Sequence, residues 1–309
     1  MKISTELKRK SSIFVSHILS IKNYLFKKLG LIFVLAFFLS CSPTIYVLDK
    51  KPILAGKIYK KTIVAKTQEK IRKSNNDVKL LKEGVEQLTT YAFGFLIEES
   101  DRVIIDNYSK AKELESRAHN YFSDAVAYGD AAISVLYENY MQWLNDNNES
   151  IVIKPSDDDL NLFYWTAAAY GGAISSSGGD PAWIIKLPRV GKLLNSIVAI
   201  DSSWNNGAAL VALISFTMND PLLKPNQADK ISKKLFDSAI RASDGLDMGP
   251  YLTYAESVSK VRQNKDEFIK LLNEALKIEI SSTNNYQLTN TISKNRAEWL
   301  LDNIDEFFY

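Results

Sequence analysis

Leu187-Pro-Arg-Val-Gly-Lys-Leu-Leu-Asn-Ser-Ile-Val-Ala-Ile200 is the stretch on which the reading of the chain turns. Val190, Leu193, Leu194, Ile197 and Val198 stand at i, i+3, i+4, i+7 and i+8, which lays one apolar stripe along a helix of about 3.6 residues per turn. The same spacing recurs on both sides. Leu80, Leu81, Val85 and Leu88 begin a stripe, and Leu114, Ala118, Tyr121, Phe122, Ala125 and Val126 make another. Leu210, Leu213, Ile214 and Met218 follow, then Ile231, Leu235, Ala239 and Ile240, then Phe268, Leu271, Leu272, Ala275 and Leu276. No stretch alternates with period two, so no sheet is expected, and the fold class is all-α: an array of antiparallel helix hairpins.

Breakers stand where such an array needs them. Asn145-Asp-Asn-Asn148 with Pro155, Gly178-Gly-Asp-Pro181, Pro188, Asp220-Pro221 with Pro225, and Ser243-Asp-Gly245 with Pro250 each interrupt a helical pattern. Ser156-Asp-Asp-Asp159 reads as a helix cap rather than a calcium loop, which spaces its ligands around a turn glycine. Four helix ends also resemble one another: Asp124-Ala-Val-Ala-Tyr128, Ser196-Ile-Val-Ala-Ile200, Ser238-Ala-Ile-Arg-Ala242 and Glu274-Ala-Leu-Lys-Ile278. Their second positions are 125, 197, 239 and 275, uneven steps that fit a degenerate tetratricopeptide-like solenoid or bundle, whose unit is about 34 residues.

Residues 1–40 read as a lipoprotein signal peptide. Lys22, Lys27 and Lys28 precede the apolar run 29–40, Ser40 is the small residue before the cut, and Cys41, the only cysteine, is the lipidation site. An uncleaved anchor is the alternative, although the run is shorter than the roughly 20 residues a spanning helix needs. Residues 41–76 read as a tether or linker, with a short helix around 58–73, and residues 77–309 as the helical domain.

That division alters the charge. The chain carries +2, but residues 1–40 hold seven basic residues against Glu6, so the remainder is −4 and a nucleic-acid role loses its basic footing. Beyond Cys41 there is no thiol and His119 is the only histidine, which excludes disulfides, cysteine-based zinc sites and Cys/His nucleophiles. No Gly-rich phosphate loop, H-E-x-x-H or G-x-S-x-G occurs; no enzyme activity, cofactor or metal is expected.

Tyr91-Ala-Phe-Gly-Phe-Leu-Ile-Glu-Glu99, Phe163-Tyr-Trp-Thr-Ala-Ala-Ala-Tyr-Gly171, Asp180-Pro-Ala-Trp183, Leu187-Pro-Arg-Val190, Ala199 to Ala208, Tyr251-Leu-Thr-Tyr-Ala-Glu256 and Asn295-Arg-Ala-Glu-Trp-Leu-Leu301 occur in this order. Together they resemble the TatT family, the T component of tripartite ATP-independent periplasmic (TRAP) transporters. The resemblance implies a membrane-tethered periplasmic lipoprotein of tetratricopeptide-like hairpins. It also implies a homotrimer that partners the periplasmic substrate-binding protein of a TRAP transporter, without catalytic residues. The expected function is a non-catalytic accessory that docks that subunit and assists ligand hand-over. The alternative is a solenoid adaptor that scaffolds another envelope complex. Ser42, in place of an aspartate after the cysteine, points to the outer membrane over the inner one.

The candidate ligand or partner surface is Tyr164, Trp165, Tyr170, Trp183, Trp204, Tyr254, Arg296 and Trp299. Adjacent Tyr164 and Trp165 point about 100° apart on a helix, so one face is core while the other is free for a groove or a neighbour. Core packing is the plainer role for such large rings. Asp180 and Pro181 read as the start of a helix that Trp183 clips down, and Trp204 as cover for a helix joint. Arg296 and Trp299, three apart, share a face on which a guanidinium could grip a carboxylate.

Overall fold

A computed structural model describes residues 50–74, 76–146, 151–281 and 286–309. The signal segment and Cys41 lie outside the described residues. Every regular element among those described is helical: α1 (Pro52–Tyr59), α2 (Ala65–Lys73), α3 (Val78–Tyr91), α4 (Glu98–Val103), α5 (Tyr108–Leu136), α6 (Tyr140–Asn145), α7 (Leu160–Ser175), α8 (Pro181–Ile184), α9 (Leu187–Ile200), α10 (Trp204–Asn219), α11 (Pro225–Ala242), α12 (Gly249–Tyr254), α13 (Lys265–Leu276) and α14 (Gln287–Asp302). Three π turns are inserted, Lys60–Val64 between α1 and α2, Ala92–Ile97 between α3 and α4, and Ala255–Ser259 after α12. None of these helices is long and apolar enough to cross a membrane.

The helices begin where polar side chains satisfy the free backbone donors of the first turn. Asp77 accepts from Lys79 N and Leu80 N, Asn107 from Lys110 N, Asp180 from Ala182 N and Asn264 from Glu267 N. The Ser156-Asp-Asp-Asp159 run departs from the expected cap: residues 157–159 form a 3₁₀ turn without a side-chain cap bond. Asp159 accepts instead from Lys82 Nζ (2.5 Å), Tyr137 Oη (2.7 Å) and Ser156 Oγ (2.7 Å). Burial works against the anion, but these donors hold the Asp159 carboxyl below its ordinary range.

Packing follows chain order: α3 lies on α5, α5 on α7, α7 on α9, α9 on α10 and α10 on α11, while α3 also meets α7. The main core contains Leu88, Leu114, Phe122, Ile133, Phe163, Tyr170, Leu193 and Ile197, and a second core under α12–α14 contains Met248, Leu252, Phe268, Leu272 and Leu300. Ala125, Ile197, Ala239 and Ala275, the equivalent positions of the four similar helix ends, are all fully buried. In α11 the expected stripe holds at fully buried Ala239 and half-buried Leu235, while Ile231 at its start is exposed and Ala228 and Ser232 turn inward there. Ala228, Ser232 and Ala239 lie on the buried side of α11, and Leu235 and Phe236 pack beside them against Ile214, Tyr254 and Val258.

Part of the stretch expected to be a tether is helix laid on the domain. Residues 52–73 bury Ala55, Gly56, Val64 and Thr67, and the Tyr59 ring lies 5.5 Å from Phe95 and 6.4 Å from Tyr91. The helix expected around 58–73 is thus present, beginning six residues earlier at Pro52. At the joint covered by Trp204, Asn205, Asn206 and Gly207 take left-handed backbone angles in succession, and a Cβ on Gly207 (φ +83) would stand 2.9 Å from the Ala242 Cβ. That close approach requires glycine.

Candidate functional site

Two of the three π turns face one cleft. Phe93 and Ile97 from Ala92–Ile97 and Glu256 from Ala255–Ser259 line it, together with Glu98 and Asp101 of α4, Leu252 of α12, and Ile292 and Arg296 of α14. The cleft encloses about 460 Å³. Wide π turns commonly mark functional positions because they push side chains off the regular helical track. Here they bring the first third of the chain against its last helix.

The charged end is built around Arg296. Its Nε and Nη2 donate to Glu256 Oε1 (3.2 Å) and Oε2 (2.6 Å), the two-pronged geometry suited to a guanidinium. Nη2 also reaches Asp101 Oδ2 (2.8 Å), and Nη1 reaches Glu98 Oε2 (3.3 Å). Burial by itself would depress the guanidinium's pKa, but the three carboxylates hold it above its usual value. Burial, with Glu256 and Glu98 nearby, keeps the Asp101 carboxyl above its ordinary range in spite of Arg296. Arg102 shares the knot: its Nε donates to Glu98 Oε1 (2.7 Å), and its guanidinium stands 5.5 Å from the Trp299 ring, which Arg296 approaches at 4.9 Å. Phe93, Ile97, Leu252 and Ile292 give the rest of the wall an apolar lining. The arrangement can receive an amphiphilic group, with apolar carbon against the lining and a polar end at the knot.

Of the eight residues singled out in the sequence, Arg296 lines this cleft. Its donors are directed at protein carboxylates, so an incoming carboxylate would have to displace one of them. Trp299 lies beside the knot, edge-on to Phe307 at 5.7 Å. Tyr164 meets Trp165 at 5.4 Å and Trp204 at 5.3 Å, and these three form one aromatic group on α7 and the α9–α10 joint. Tyr254 is buried against Phe236 (5.0 Å), and burial pushes its phenol up to about 12. Trp183 stands edge-on to His119 at 5.3 Å, with Lys186 Nζ 3.8 Å from its ring. His119 itself donates from Nδ1 to the Ala173 carbonyl at 3.0 Å, which ties α5 to α7.

Tyr170 is completely buried and donates to Asp130 Oδ2 at 2.5 Å, while Tyr140 donates to Oδ1 at 2.8 Å. Arg189 Nη1 donates to Tyr170 Oη (3.0 Å) and Nη2 to Asn145 Oδ1 (2.6 Å), which links α5, α6, α7 and α9. Burial raises the Asp130 carboxyl above its ordinary range, against the pull of the two phenols and Arg189. Burial and the Asp130 charge raise both tyrosines. Asp130, Glu98, Asp101 and Glu256 were not singled out in the sequence. Glu98 and Asp101, three apart on one short helix, were a local signal of a shared face; Glu256 had none.

A family model described as TRAP transporter T-component matches residues 65–308. The chain belongs to the TRAP transporter T-component family. A protein of Treponema pallidum (strain Nichols), described as uncharacterized, is 21% identical over 222 residues, 71% of this chain and 68% of that one. In this T-component the matched span contains every residue of the cleft, both π turns that form it and the Asp130 network. It begins at the first residue of α2, so α1 and the first π turn lie ahead of it.

Proposed function

We propose that this T-component is a non-catalytic accessory held at the periplasmic face of a membrane by a lipid on Cys41, where it docks the substrate-binding protein of a TRAP transporter. In this reading the cleft between the two π turns receives the partner or the ligand in passage. The aromatic group of Tyr164, Trp165 and Trp204 adds a second contact surface, and three copies assemble as a homotrimer. The observation that carries the reading is the T-component match over 65–308, which spans the open cleft with its apolar lining and charged end. Anchoring by more than one acyl chain would hold the protein firmly where a single chain would not.

The test is retrieval of the substrate-binding protein of the cognate transporter by the tagged, membrane-extracted protein, with Phe93→Asp and Ile292→Asp variants alongside. Retrieval that falls at least tenfold in the variants supports docking at the cleft. A failure of the unaltered protein to retrieve the cognate partner overturns the proposal.

A further inference from the structure

Residues 51–73 differ in charge from everything after them. They hold eight Lys and Arg against Glu69, a net of +7, whereas from Ser74 onward 22 Lys and Arg face 33 Asp and Glu, a net of −11. The inner side of this arm is used up in packing, by Ala55, Gly56, Val64 and Thr67. The outer side mixes lysines with bare aliphatics: Ile53 is 57% exposed, Leu54 46%, Ile58 50% and Ile63 36%. Lys51, Lys57, Lys60, Lys61 and Lys66 are all exposed, and none has an ion-pair partner among the described residues, whereas Lys73 is paired with Glu69.

Aliphatic side chains interleaved with unpaired lysines on one helix face are the composition that settles into a headgroup layer, with carbon inward and ammonium at the phosphates. We propose that the outer face of residues 51–66 lies on an anionic phospholipid surface. Charge selects this occupant: the basic arm is drawn to such a surface, and the acidic remainder of the chain is driven away from it. Position agrees, on the reading that Cys41 is anchored. Ile53 follows it by 12 residues, at most about 43 Å of extended chain, so the arm lies within reach of the bilayer. The lipid surface thereby sets which way the cleft faces, an orientation that a flexible anchor alone would not impose.

The test uses the full chain in nanodiscs of phosphatidylcholine alone and of phosphatidylcholine with phosphatidylglycerol, read by hydrogen exchange. Residues 52–66 should exchange at least tenfold more slowly on the anionic discs, and both high salt and the combined Lys57→Glu, Lys60→Glu and Lys61→Glu variant should abolish the difference. Ile58→Glu is a second variant with the same expected result, and unchanged exchange in α5 shows that each variant is folded. Equal exchange on the two lipids overturns the proposal while leaving anchoring and docking untouched. Slowing that needs no lipid and grows with protein concentration also overturns it, in favour of a second copy on the face. Protein that stays with neither disc overturns both the arm and the anchor.

Discussion

Arg296 has 13% of its side chain exposed and faces three carboxylates, so its removal would take from Asp101 its cation and leave Glu98 to Arg102 and Glu256 to the more distant Lys260 in a partly dry setting. Breaking a buried pair in this way costs about 3–5 kcal/mol, reduced here because Asp101 is 40% exposed and partly screened. Arg296→Ala should therefore lower unfolding stability by about 2–4 kcal/mol, measured as a fall in the urea midpoint at unchanged slope. Arg296→Lys should recover only part of this, since an ammonium cannot span Glu256 with two parallel bonds. Asp130 makes a prediction in pH. Its carboxyl is raised in the fold, so the native state binds the proton more tightly than the unfolded chain, and this group's contribution falls as pH rises through the raised value. Asp130→Asn removes that penalty: the variant's stability relative to the unaltered protein should be greater at pH 7 than at pH 4. A difference that is flat or opposite in sign between urea titrations at the two values would show that Asp130 is charged and satisfied in the fold.

At the scale of the helix, two adjacent glycines in α7 separate packing from propensity. A Cβ on Gly172 would strike the ring of Phe122, which is completely buried on α5, whereas a Cβ on Gly171 meets nothing within 4 Å. Gly172→Ala should cost about 1–3 kcal/mol through forced displacement, and Gly171→Ala should be neutral or add up to ~1 kcal/mol through helix propensity, as thermal unfolding would show. The α5 stripe was legible for the same reason that Gly172 matters: Leu114, Ala118, Phe122 and Ala125 are buried because the helix period alone points them at one neighbour. In α11 the period holds for Leu235 and Ala239 but misplaces Ile231, since the start of the helix packs through Ala228 and Ser232. How closely two helices approach is decided by the partner. The π turns had no local signal either, because one extra residue in a helical turn leaves an apolar stretch such as Ala-Phe-Gly-Phe-Leu-Ile97 looking like any other.

Across the whole molecule the buried side chains gather into separate groups, and the C-terminal one is small. It rests on Met248, Leu252, Phe268 and Leu272, and buried Asn290 binds it by accepting from Met248 N (3.0 Å) and donating to the Leu246 carbonyl (2.8 Å). Phe268→Ala should cost about 3–5 kcal/mol. Hydrogen exchange should rise first in α12–α14 while α5 and α7 keep their protection; uniform acceleration would show that the two cores open together. The helix array and the T-component resemblance could be read from the sequence because both rest on local pattern. The cleft could not, since its walls are brought together by contacts that no local pattern encodes. Glu98 and Arg296 are 198 residues apart, and Asp101 and Arg296 are 195 apart. A chain still being synthesised can pack α3 against α5 and α7, but it has no cleft until α14 arrives. Any product truncated before α14 lacks Ile292 and Arg296, and with them one wall of the cleft and the cation that its three carboxylates share.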